Sequence, residues 1–215
     1  YPPFTTSTLT QTGARLFGWS AKKTMSIAQK LYEEGLITYH RTDSVNISSQ
    51  AIDMARNYII KEFGESYLPE KANYYKKQSK NAQEAHEAIR VTDLNKNENT
   101  IEDSTHRKLY DLIKRRFVAC QMKPAIYSET TIDIESATEK GKVHLLRSGG
   151  QIMIFDGWRK LFSIDKEVII LPDLKENEDL TKEKVWGEQK FTSPQARYNE
   201  ASLIKTLEKL GIGRP

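Results

Sequence analysis

The chain has 215 residues, 38% of them hydrophobic and 29% charged, enough for one large or two modest domains with a buried core, which excludes wholesale disorder. Its net charge of +4 is too small to name a nucleic-acid partner unless the charge is concentrated somewhere. A single cysteine, Cys120, excludes an internal disulfide and a Cys-rich zinc site. There is no apolar run of about 18 residues, and the opening Tyr-Pro-Pro-Phe-Thr-Thr has no signal-peptide pattern, so a cytoplasmic, water-facing protein is expected. Tyr1 starts in mid-pattern and Gly211 to Pro215 reads as a loop after a helix, so an excised fragment is expected.

Between Ser20 and Glu34, Met25, Ala28, Leu31 and Tyr32 recur at helical spacing, with Ser20 as N-cap and Gly35 as the stop. That helix feeds directly into a strand-like run, Leu36 to Tyr39. A second helix is expected from Ser48 to Gly64, burying Ile52, Ala55, Ile59 and Phe63. Asn81 and Glu84 form a capping-box pair for a short helix through Ile89. A fourth helix carries Leu109, Leu112, Ile113, Phe117 and Cys120 and ends before Pro124. Beyond it, Thr130 to Ile134, Val143 to Leu146, Ile152 to Phe155 and Val168 to Leu171 are short β-branched runs between turns, the pattern of an antiparallel β unit. Residues 173 to 184 read as a loop, and Asn199 to Leu210 as an amphipathic helix with Leu203, Leu207 and Leu210 on one side and Gly211 as its stop. The expected class is therefore α+β, a helical part followed by an antiparallel β part.

The densest chemistry lies in Gly35-Leu-Ile-Thr-Tyr-His-Arg-Thr-Asp-Ser44, an apolar run that ends in six polar residues. A tyrosine phenol titrates at about 10, so its attack on a phosphodiester needs a sink for the proton and cations against the developing charge. In an extended segment Arg41 projects to the same face as Tyr39, and its guanidinium suits a phosphate oxygen. On chemistry alone, a Tyr between helix and loop is more often a boundary residue than a nucleophile. His86 and Arg90 stand four apart, one face of a helix, although a lone His on a charged helix is usually a surface residue. Arg107 to Lys123 holds six Lys or Arg against one acid, which is either a phosphate-facing surface or, more commonly, a solvated helix face. No phosphate loop, dinucleotide turn, hydrolase elbow or paired zinc spacing occurs.

These residues resemble a known family in order and spacing. Pro2 to Leu9, Lys22 to Glu33, GLITYHRTDS, NAQEAHEAIR at 81 to 90, FVACQMKPA at 117 to 125, FDGW at 155 to 158 and RYNEASLIKTLEKLGIGRP at 197 to 215 are similar to the bacterial type IA DNA topoisomerases. The resemblance implies a toroidal enzyme that relaxes negatively supercoiled DNA without ATP. It cuts one strand through a 5′-phosphotyrosyl intermediate, passes another strand through the gap and reseals. It implies Tyr39 as nucleophile and Arg41 as the residue positioning the phosphate. His86, Arg90, Arg214, Thr42 and Asp43 are implied at the DNA, with Glu33 and Gln29 supporting the site. It further implies a β arch of residues 1–7 and 124–191, a helical gate of 8–123 and a base-domain helix within 192–215, opening at the crossings near 7 and 124. Mg²⁺ would be held by an acidic domain outside these 215 residues, so the fragment alone, a monomer, is expected not to relax DNA. Val91 stands where the family usually has Pro, which predicts a less rigid turn, and His40 is assigned no role. The alternatives are a DNA-binding or gate module, or the corresponding part of a topoisomerase III or reverse gyrase.

Overall fold

A computed structural model of the chain describes residues 1–75, 87–137, 140–162 and 169–212. It divides into two compact units: Tyr1–Pro124 with Gly157–Ser163 and Tyr198–Pro215, and Ala125–Asp156 with Ile164–Arg197.

The first unit is built on five helices, α1 (Thr6–Phe17), α2 (Ala21–Glu33), α3 (Ser49–Phe63), α4 (Ser104–Ala119) and α5 (Glu200–Lys209). Three begin at the residues where the sequence placed a helix start, Ser20 having been read as a cap. The side chains of Ser20, Ser48 and Asn199 each accept from a backbone N–H of the first turn, satisfying donors that a helix start leaves without partners. Ser20→Ala is expected to cost about 1 kcal/mol of stability, read as a lower urea midpoint with unchanged slope. An unchanged midpoint would show that the cap contributes nothing.

Helix α1 was not expected, because its threonines have modest helix propensity. What sets it is local chemistry at both ends: a capping box between Thr5 and Thr8, and Gly18 in the left-handed conformation. Leu9 on this helix is fully buried, in a core shared with Leu31, Ile37, Ala55, Ile59, Leu109, Tyr110, Ile113 and Phe117. Residues 1–7, expected with the β part, belong to this unit: Phe4 is buried and bridges Ile89, and the Ile89 N–H donates to the Phe4 carbonyl at 2.8 Å. Of residues 192–215, expected as a separate element, those from Tyr198 on fall here, where the Ser7 hydroxyl donates to Glu208 at 2.6 Å and the Ala21 N–H to Glu200 at 2.8 Å. The helix expected through Ile89 lies mostly outside the described residues, and residues 87 to 90 are extended rather than helical. Cys120 is buried as expected, with its thiol donating to the Phe117 carbonyl at 3.0 Å and pushed up to about 12 by burial.

In the second unit the short expected strands are fewer and longer. One antiparallel hairpin pairs β1 (Ile126–Ala137) with β2 (Val143–Phe155), in a register that sets Ile134 opposite Leu146 and Thr130 opposite Gly150. The glycines taken for a turn lie inside β2. A Cβ on Gly150 would come 2.5 Å from the Ile169 carbonyl oxygen, so the glycine admits another stretch of backbone rather than turning the chain. Residues 169 to 172 form no strand, and Val168 lies outside the described residues. Residues 173 to 184 form a loop, as expected.

Candidate functional site: the tyrosine loop

Helix α2 ends at Glu33, and Gly35, at φ +70°, reverses the chain. The next residues are held by distant extended backbone rather than by neighbours in sequence. Ile37 bridges Val91, with Thr38 N–H donating to the Arg90 carbonyl at 2.9 Å and Thr92 N–H to the Leu36 carbonyl at 3.1 Å. Those bonds pass on either side of Val91, so the pairing uses neither of its polar groups. Val91, expected in a turn, instead occupies a buried bridge position. The Thr38 hydroxyl donates to the Ala88 carbonyl at 2.7 Å and accepts from the Arg90 N–H at 3.0 Å.

From here exposure alternates. Tyr39 and Arg41 are exposed and His40 and Thr42 buried, the period of two of an extended segment. Tyr39 and Arg41 therefore share a solvent face. The Tyr39 ring, 39% exposed, lies edge-on to Tyr32 at 5.3 Å and to His40 at 5.4 Å. His40 is 1% exposed, and neither of its ring nitrogens meets a hydrogen-bond partner among the described residues. Burial, and secondarily the Arg41 charge, lowers its pKa from the usual histidine value, with Glu33 opposing. On the far side of Arg41 the loop is tied to α1. Thr6 N–H donates to the Thr42 carbonyl at 2.9 Å, and the Thr6 hydroxyl donates to the His40 carbonyl at 2.7 Å and accepts from Thr42 N–H at 2.9 Å.

The other candidates fare differently. Thr42 is 3% exposed and its hydroxyl accepts from Ser44 N–H at 3.0 Å, so in this conformation it shapes the loop rather than offering a hydroxyl to DNA. Asp43 is partly exposed on the same loop. Arg90 is not on a helix. Its guanidinium pairs with Glu87 at 2.6 Å and lies over the Phe117 ring, leaving 13% of the side chain exposed. Burial works against the Glu87 carboxylate, but bonds from Ser48 and Arg90 outweigh it and hold its pKa below the usual carboxylate range. Gln29 donates to Glu33 at 2.6 Å one turn along α2. His86 and Arg214 lie outside the described residues.

Three cations of the basic run on α4 are engaged within the fold. Lys114 pairs with Glu98 at 3.0 Å, Arg115 with Asp111 at 2.9 Å, and Arg116 donates to the Pro2 carbonyl at 2.6 Å between the Tyr1 and Phe4 rings. Those three charges are tied to the fold, whereas Lys108 on the same helix is exposed. Tyr32, Thr6, Thr38 and His40 were missed as partners of the site. Only the short spacing from Tyr32 to Tyr39 hinted at contact, since Thr6 and Thr38 act through residues 34 to 52 positions away.

Among the described residues no group of three or more His, Cys, Asp or Glu side chains could hold a metal ion, so no step is assigned to a cation held by this chain. Among them also, no helix is long and apolar enough to cross a membrane.

Comparison with known proteins places this geometry. The family described as DNA topoisomerase matches residues 1–215. The DNA topoisomerase 1 of Helicobacter pylori (strain ATCC 700392 / 26695) is 47% identical over 225 residues, covering 100% of this chain and 30% of that protein. The DNA topoisomerase 1 of Pasteurella multocida (strain Pm70) is 50% identical over 218 residues, 99% of this chain and 24% of its own length. Among solved structures, the full-length topoisomerase I of Thermotoga maritima superposes with a TM-score of 0.75 at 35% identity, covering 99% of this chain and 35% of that one. The chain thus spans 24% and 30% of these two curated relatives. The α+β class read from the sequence agrees with this neighbour and with the five helices and antiparallel hairpin. The chain belongs to the DNA topoisomerase family, in its bacterial type I group.

Proposed function

We propose that this chain is the tyrosine-bearing segment of a type IA enzyme that relaxes negatively supercoiled DNA, and that Tyr39 is its nucleophile. The observation that carries this reading is the loop itself: within a chain of this family, Tyr39 and Arg41 share the exposed face of a segment otherwise buried and pinned by hydrogen bonds. In the reaction the Tyr39 oxygen attacks a phosphodiester phosphorus in a single-stranded region. A 5′-phosphotyrosyl ester forms, the bond to the 3′ oxygen breaks, and the proton lost by the phenol is returned to the departing 3′ hydroxyl. Arg41 neutralises charge on the phosphate. One phosphoester replaces another, so resealing by the reverse attack needs no ATP. Asp43, Arg90, His86 and Arg214 serve DNA binding in this reading, with Glu33 and Gln29 supporting the active site.

Mg²⁺, in this reading, is held by residues outside the chain, and the enzyme acts on the cytoplasmic nucleoid. The isolated chain is then a monomer without relaxation activity, and robust relaxation of supercoiled plasmid with Mg²⁺ overturns that part. The test of the central claim is to trap the adduct of the full-length enzyme with a radiolabelled oligonucleotide, digest it, and sequence the labelled peptide. The label is expected on the peptide holding Tyr39, and label on any other residue sinks the assignment.

A further inference from the structure

Thr6 opens α1, yet its side chain does nothing for that helix start. The capping is done by Thr5, whose hydroxyl accepts from Thr8 N–H. The Thr6 hydroxyl instead faces the tyrosine loop, 2.7 Å from the His40 carbonyl and 2.9 Å from the Thr42 amide nitrogen. A hydroxyl has one proton to give and lone pairs to receive. The short contact to His40 takes the proton, the Thr42 N–H fills a lone pair, and the Thr42 carbonyl, 3.1 Å away, already accepts from the Thr6 backbone N–H at 2.9 Å. These bonds hold the peptide groups on both sides of Arg41. On the other side of Tyr39, the Thr38 hydroxyl repeats the arrangement, donating to Ala88 and accepting from Arg90.

The two exposed residues are therefore carried on backbone gripped at each end by a threonine used as donor and acceptor together. The four bonds of these grips do not involve the Tyr39 or Arg41 side chain, and both residues are exposed between them. Backbone fixed in this way limits the directions in which a phenol oxygen and a guanidinium can approach one phosphate, and misplacement of about 1 Å at a reacting group is costly in rate.

We infer that Thr6 is a positioning residue for the cleavage reaction: its hydroxyl, acting from α1, fixes the Arg41 backbone and so the relative placement of Tyr39 and Arg41. This rests on the reading of Tyr39 as nucleophile. Thr6→Val, Thr6→Ser and Thr10→Val are to be made in the full-length enzyme. Thr10 is the control, because among the described residues its hydroxyl bonds to the carbonyls of Thr6 and Ser7 within α1 and not to the tyrosine loop. Single-turnover adduct formation at saturating oligonucleotide gives the chemical rate, and fluorescence anisotropy gives the affinity.

Thr6→Val, which removes both bonds of the hydroxyl to the loop, is expected to slow adduct formation by about tenfold or more, with Kd unchanged. Thr6→Ser is expected to recover the rate to within about twofold, and Thr10→Val to leave it unaltered. Thr6→Val cleaving at the wild-type rate, Thr6→Ser as slow as Thr6→Val, or a loss wholly explained by Kd would each overturn the inference. If Thr6→Val does not fold, Thr6→Ala takes its place with the same expectations, and failure of both to fold also overturns a role confined to the loop. Tyr39→Phe, run in parallel, separates the two claims. An adduct that survives it refutes the nucleophile, whereas a dead Tyr39→Phe beside an unimpaired Thr6→Val refutes only the role of Thr6.

Discussion

Tyr39→Phe in the full-length enzyme is expected to abolish the covalent DNA adduct while leaving oligonucleotide affinity within about twofold. The substitution removes one oxygen and keeps the ring that packs edge-on to Tyr32 and His40, and the stability cost is expected to be about 1 kcal/mol, the size of one hydrogen bond. Chemistry, by contrast, loses its nucleophile, and rates fall by at least ~10⁴-fold when a covalent catalyst loses the attacking atom. Tyr32→Phe is the matched control. Tyr32 is 40% exposed and its ring lies 5.3 Å from that of Tyr39, so it is the alternative phenol nearest to the same substrate. It is expected to retain cleavage. Loss of the adduct in Tyr32→Phe with retention in Tyr39→Phe would move the nucleophile to α2.

What was legible in the sequence follows from the range over which each interaction acts. Ser20 was readable as a cap, and Ser48 and Asn199 as helix starts, because a cap is settled within three residues. The buried stripe of α3 was readable because Ile52, Ala55 and Ile59 repeat at helical spacing. The stripe of α2 was misread by a fraction of a turn. Thr24, Ile27, Ala28 and Leu31 are buried, whereas Tyr32, taken for core, turns outward to meet Tyr39. Tyrosine is amphipathic, and periodicity cannot tell a core ring from one that builds a site. At the loop, the alternation that exposes Tyr39 and Arg41 together was visible from extended geometry alone. What holds it was not visible, because Thr6, Ala88 and Arg90 reach the loop from opposite directions along the chain. Nor was the burial of His40 visible, being a property of the packed unit and not of the segment.

That burial gives His40 a pH dependence of definite sign. The groups facing it are the Tyr32 and Tyr39 rings, the Arg41 guanidinium and the Glu33 carboxylate. Burial and then Arg41 disfavour the imidazolium, only Glu33 favours it, and the folded pKa is lowered. The unfolded chain, with a histidine pKa of about 6.5, therefore binds the proton more readily than the folded one. The stability that neutral His40 contributes is full above about pH 6.5 and is lost as pH falls from there towards the folded pKa, with a slope of at most about 1.4 kcal/mol per pH unit for one proton. Because the histidine is wedged beside Tyr39, the same protonation is expected to loosen the loop and slow adduct formation over the same interval. His40→Met fills the space without a titrating group and removes two ring nitrogens that have no partner among the described residues. Its urea midpoint is expected to exceed that of the wild type by a constant amount above about pH 6.5 and by a widening amount below it. Other groups titrate in both proteins, so the difference between the two curves isolates His40, and parallel curves from pH 7.5 to 5.5 would show that its ring does not resist protonation in the folded chain.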